Sequence, residues 1–226
     1  MVDETAGSVT LKDLLGSAEL SMEQGLRRMH LLAQDMLAEA VRALREGQAI
    51  AAEQMEARDR EVDRFHWLLL RQYNLIMKDV FFAERMKIAP PDALACLLVG
   101  RSIERIADHS VRLATCTPSM GGARPASSEL TAAGERSVEV FGAAVEAFKR
   151  NNFELSNKVV EDARTLRRTV SGLYERALAS APPGSGAAMY TAVNCIERVA
   201  AYSEDISETS LNRIIALRRA AGRKEE

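Results

Sequence analysis

The stretch EARDREVDRFHWLLLRQ places Glu56, Asp59, Asp63 and His66 at i, i+3, i+7 and i+10. On a helix turning about 100° per residue these four fall on one face, roughly a quarter turn from an apolar stripe of Val62, Phe65, Leu69, Tyr73 and Ile76. A second acidic pair, Glu104 and Asp108 at i and i+4, lies beside its own stripe of Val99, Ile103, Ile106, Ser110 and Leu113. The two acidic faces are expected to meet in a groove. Like charges one turn apart repel by a few tenths of a kcal/mol, and by more when two such pairs face each other, so the arrangement requires a counter-charge. Carboxylate oxygens suit a hard or borderline cation, divalent or trivalent, with His66 as a nitrogen ligand. Alternatively, Arg58, Arg60, Arg101 and Arg105 neutralise the same acids as ordinary surface ion pairs. Spacing alone leaves both open.

Other chemistries are poorly served. No nucleophile, base and oxyanion arrangement occurs, and His30 and His109 are isolated. A di-metal carboxylate enzyme in a helical bundle needs Glu-x-x-His on two helices, which only Asp63-x-x-His66 approximates. Gly121 and Gly122, followed by Ala123 and Arg124, lack the strand and helix context of a phosphate-cradling loop.

The elements that must carry these residues are helices. Aromatics make up 5% of the chain, β-branched residues are scattered, and Ala, Leu, Glu and Arg recur with helical spacing. Breaks fall at Gly47, at Pro90 and Pro91, in CTPSMGGARPAS, at Asn151 and Asn152, and in APPGSG. They leave six helices, spanning roughly residues 8–46, 49–79, 91–115, 129–150, 153–180 and 187–221. The chain also repeats itself: SIERIADHSVRLA at 102–114 returns as CIERVAAYSEDIS at 195–207, and AVRALRE at 40–46 returns as AVEAFKR at 144–150. The expected architecture is all-α, with one three-helix bundle over residues 1–116, a linker over 117–127 and a second bundle over 128–226. A duplicated chain favours two small cores over one large one. Nine methionines and a single tryptophan point to an adaptable interior rather than an aromatic cage.

The duplication also supplies an internal control. In the register of the repeat, Glu56, Asp59, Asp63 and His66 correspond to Val160, Ala163, Arg167 and Val170, while Glu104 and Asp108 correspond to Glu197 and Ala201. Only Glu197 survives of the acids, and Arg167 stands where its guanidinium can pair with it in place of a metal's charge. Glu161, Asp162, Glu204 and Asp205 read as out of register. One strong metal site at most is therefore expected, in the first half.

Thirty Lys and Arg nearly balance 32 Asp and Glu, so no global field exists to hold a polyanion, and nucleic acid is not an expected partner. Cys96, Cys116 and Cys195 show no CxxC spacing and read as reduced, largely buried small hydrophobes. The first residues lack a basic and an apolar signal region, and no stretch is apolar enough to span a bilayer, so a cytoplasmic protein is expected.

Two three-helix repeats, DREVD at 59–63, and SIERIADHSVRLA at 102–114 together resemble the PhoU family of phosphate-uptake regulators over about residues 15 to 215. The resemblance implies a cytoplasmic regulator of a phosphate ABC transporter, touching the membrane through that partner's ATPase subunit. Where a sensor histidine kinase exists, it implies relay of phosphate status to it; potassium-channel-associated relatives give a second reading. It implies metal binding by Asp59 with Asp63 and by Glu104 with Asp108; oxygen-rich ligation suits magnesium or manganese, while family behaviour suggests iron or zinc. In the second repeat the motif fails at Ala163, Arg167 and Ala201. Homodimerisation through the bundles is a further expectation.

Overall fold

The structure is a computed structural model that describes residues 2–5, 8–11, 20–48, 50–120, 124–179 and 184–222. A short antiparallel hairpin of β1 (Val2–Thr5) and β2 (Ser8–Leu11), with Val2 opposite Leu11, precedes seven helices. These are α1 (Met22–Glu46), α2 (Ala52–Lys78), α3 (Val80–Met86), α4 (Pro90–Cys116), α5 (Arg124–Arg150), α6 (Phe153–Ala179) and α7 (Gly186–Gly222). The fold is all-α apart from that hairpin.

The first helix starts later than its periodicity predicts. Residues 8–11 pair in the hairpin, residues 12–19 lie outside the described residues, and α1 begins at a capping box around Ser21. There the Gln24 N–H donates to Ser21 Oγ at 3.1 Å, and the Ser21 N–H donates to Gln24 Oε1 at 3.0 Å, satisfying two otherwise orphaned backbone donors. Gly47 closes the helix at φ 65°, a left-handed conformation open to glycine at little cost. A second difference is α3, which occupies what reads as the tail of the second helix. Asp79 leaves the helical path at φ −134° and accepts from the Phe81 and Phe82 N–H groups, so it ends α2 and caps α3 at once. The expected linker at 117–127 is shorter in the structure. Thr117–Met120 continues α4 as a 3-10 turn and α5 already runs from Arg124, leaving Gly121, Gly122 and Ala123 outside the described residues.

Helices α1, α2 and α4 pack together in the first half, and α5, α6 and α7 in the second; the halves join along α1–α5 and α4–α7. Their buried side chains form one connected core rather than two. Met22, Met29, Met36, Met55 and Met189 are all fully buried in it, while Trp67 is 66% exposed. Leu69 of α2 is seated between two helical notches. A Cβ at Gly25 of α1 would meet its side chain at 3.3 Å, and one at Gly100 of α4 would meet it at 2.7 Å. Burial of that leucine contributes about 2 kcal/mol. It also sets the height of α2, and therefore of its acidic residues, against α4.

Candidate metal centre

Helices α2 and α4 pack together, and their acidic residues act on one another electrostatically. Burial, followed by repulsion from Asp108, Asp63 and Glu104, pushes the Asp59 carboxyl up to about 6. Glu104 is raised by burial and by Asp108 and Asp63. Asp108 is raised by burial, with Arg105 and Arg112 pulling the other way and Asp63 adding repulsion. These mutual effects identify Asp59, Asp63, Glu104 and Asp108 as one electrostatic group. Counter-charge from the protein is thin: Arg105 lies 3.5 Å from Glu104 Oε2 and 3.7 Å from Asp108 Oδ2, at the long end of ion pairing. Asp59 Oδ1 is buried and has no hydrogen-bond partner.

The remaining predicted residues are placed differently. Glu56 is exposed and pairs with Arg60 at 3.7 Å, as an ordinary surface ion pair. Arg58 turns away to Glu39 on α1. His66 sits at the edge of the group, held neutral by burial and by Arg101, with Nδ1 buried and without a hydrogen-bond partner. Among the described residues, no three His, Cys, Asp or Glu side chains converge closely enough to hold one ion. By charge and donor type the four carboxylates fit a cation; by position they would have to turn inward to ligate one.

The second half solves the same problem with its own cations. Arg167 Nε donates to Glu197 Oε1 at 2.8 Å and its Nη1 to Glu204 Oε2 at 3.1 Å. Arg164 Nε donates to Glu204 Oε1 at 2.6 Å, and its Nη2 to Glu208 at 3.2 Å. Ala163 and Ala201, the counterparts of Asp59 and Asp108, are buried. The pairing of Arg167 with Glu197 is the one expected from the register. Glu204 reads as out of register in the sequence, yet it stands seven residues beyond Glu197 and hence almost directly above it on α7. A guanidinium cannot share this position with a metal ion, so the residues here do not fit one. Arg167→Ala is expected to cost about 1–2 kcal/mol in urea denaturation, since it leaves Glu197 without that partner and Glu204 with only Arg164. Arg167→Asp with Ala201→Asp should instead add a cation to the bound stoichiometry; unchanged stoichiometry would count against the register.

Residues 26–117 match the family model described as PhoU domain, and this span carries all four coupled carboxylates. Over that span the chain is similar to the PhoU domain. The crystal structure of PhoU from Pseudomonas aeruginosa matches 84% of this chain and 93% of that one with a TM-score of 0.71, at 18% sequence identity. The likeness extends the PhoU fold across both halves. No curated protein matches the chain. Among the described residues, no helix of this PhoU-like chain is long and apolar enough to cross a membrane. Its cysteines, Cys96 and Cys195 buried and Cys116 half-buried, are poorly suited to metal or redox chemistry: burial pushes the Cys96 and Cys195 thiols up to about 12 and Cys116 up to about 11.

Proposed function

We propose that this PhoU-like protein is a cytoplasmic regulatory adaptor of phosphate uptake, and not an enzyme. Its partner is the ATPase subunit of a phosphate ABC transporter and, where one is present, a sensor histidine kinase; it works as a homodimer and reaches the membrane through that partner. Its first half responds to a metal ion. The observation that carries this reading is the four-carboxylate face inside the span that matches the PhoU domain, where Asp59 Oδ1 is buried with no partner among the described residues and its carboxyl is raised by burial and by its acidic neighbours to about 6. Asp59, Asp63, Glu104 and Asp108 would hold the ion, which would supply counter-charge beyond that of Arg105. Iron, zinc, magnesium and manganese all accept such oxygen donors.

Two measurements test it. Asp63→Ala combined with Asp108→Ala should lower the metal content found by elemental analysis to background while leaving helicity by circular dichroism largely intact; unchanged content removes the site. Affinity capture should recover the transporter's ATPase subunit with the metal-loaded protein, and failure to do so removes that partner.

A further inference from the structure

The polypeptide turns sharply between α2 and α4, and the turn presents apolar side chains to solvent. Phe81 is 81% exposed, Val80 72% and Met77 55%, whereas Phe82 beside them is buried and stacked under Arg85. The exposure is a product of the Asp79 cap. By starting a fresh helix after a break, it turns Phe82 into the core and leaves Val80 and Phe81 outside.

Several helix ends gather at the same pole of the bundle. Arg213 of α7 pairs with Asp92 at the start of α4 at 2.7 Å and with Glu23 at the start of α1 at 3.8 Å, and it lies over the Phe148 ring near the end of α5. Arg218 lies over Phe153 at the start of α6. The last turns of α2, α3, α5 and α7 are basic, with Lys78, Arg85, Lys149, Arg150 and Arg219, and Lys87 follows α3. Several of these charges pair with one another, Arg213 with Asp92 and Glu23, and Lys149 and Arg150 with Glu146, while Asp79 is engaged in capping. The acidic group lies far away, Asp59 being 18 residues before Met77 on the same helix, about 27 Å along its axis.

We propose that this pole is a docking face for an anionic lipid bilayer, with Val80 and Phe81 entering the interface and Lys78, Arg85 and Lys87 resting on lipid headgroups. The combination suits a membrane surface: a protruding apolar tip with Lys78, Arg85 and Lys87 beside it. Contact of this kind is direct, separate from attachment through a transporter subunit, and independent of the metal reading.

The test is sedimentation of the full chain with vesicles. Partition onto phosphatidylcholine vesicles containing roughly a third phosphatidylglycerol should exceed partition onto pure phosphatidylcholine by roughly tenfold and should weaken as salt rises. Val80→Ser with Phe81→Ser should lower it by roughly tenfold or more, and Lys78→Gln with Lys87→Gln by a similar factor. Leu31→Ser, which alters an exposed apolar residue on α1 (55% exposed), should leave it unchanged. Matching circular dichroism spectra establish that the variants fold, as expected for exposed positions. Absence of wild-type partition, or equal partition by the Val80 and Phe81 variant, overturns the proposal. So does a requirement for Phe81 in capturing the ATPase subunit without any vesicle binding, which would assign the face to protein.

Discussion

Phe141→Ala is expected to remove about 3–5 kcal/mol of folding stability, the usual cost of emptying a fully buried aromatic site. The ring is 0% exposed on α5, in an edge-on contact with His30 of α1 at 5.2 Å between centroids, so it bridges the two halves. Because both halves share one connected core, the loss should appear as displacement of a single cooperative transition. Circular dichroism reads all the helices, while Trp67, the one tryptophan, reads the first half alone. Coincident shifts by the two probes are the expected result. A fluorescence transition left in place while the helical signal splits in two would show that the halves fold independently.

Asp59→Asn should raise stability at neutral pH by on the order of 1 kcal/mol in metal-free buffer, after discounting for the partial exposure of this residue. The sign follows from the raised carboxyl. Between the unfolded value of 3.8 and the folded value of about 6, the native state holds a proton that the unfolded chain has released. The contribution is therefore full at low pH and is lost as pH rises through about 6. His109 works in the opposite direction. Burial, together with Arg112, Arg198 and Arg105, lowers its folded value from 6.5 to about 4, so its contribution is full above 6.5 and fades as pH falls towards 4. In the wild-type protein the two slopes oppose each other across this window. Removing the Asp59 charge should leave stability rising with pH, measurable by urea denaturation near pH 4.5 and pH 7. A variant with unchanged slope and unchanged midpoint would mean that Asp59 is an ordinary solvated carboxylate. The same substitution should weaken metal binding, so stabilisation without metal and loss of metal response are expected together.

The helical repeat was readable because it is written in residue types. The duplicated ERIA-like segments fix a register, and that register places Arg167 against Glu197, where the side chains bond at 2.8 Å. The coupling of Asp59 and Asp63 to Glu104 and Asp108 was likewise readable from two faces of helical spacing. What escaped had local or three-dimensional causes. The hairpin at residues 2–11 and the late start of α1 depend on backbone pairing and on the Ser21 cap, against a Leu- and Ala-rich pattern that also suits a helix. The seven-residue α3 is too short to show its own period, and only the capping role of Asp79 betrays it. Glu204 reads as out of register because it stands three residues beyond Ala201, the counterpart of Asp108, and its pairing with Arg164 and Arg167 depends on how α6 and α7 pack. The destination of Arg58, which is Glu39 on α1, depends on which helices become neighbours, and spacing along α2 does not encode that.

The seat of Leu69 between Gly25 and Gly100 limits how the first half can respond to anything it binds. Sliding α2 by one turn would drag a branched side chain out of both recesses and over helix backbone, whereas swivelling about that point keeps it seated. Leu69 thus acts as a fulcrum: it fixes the height of α2 against α4 and leaves tilt about that point as the easier motion.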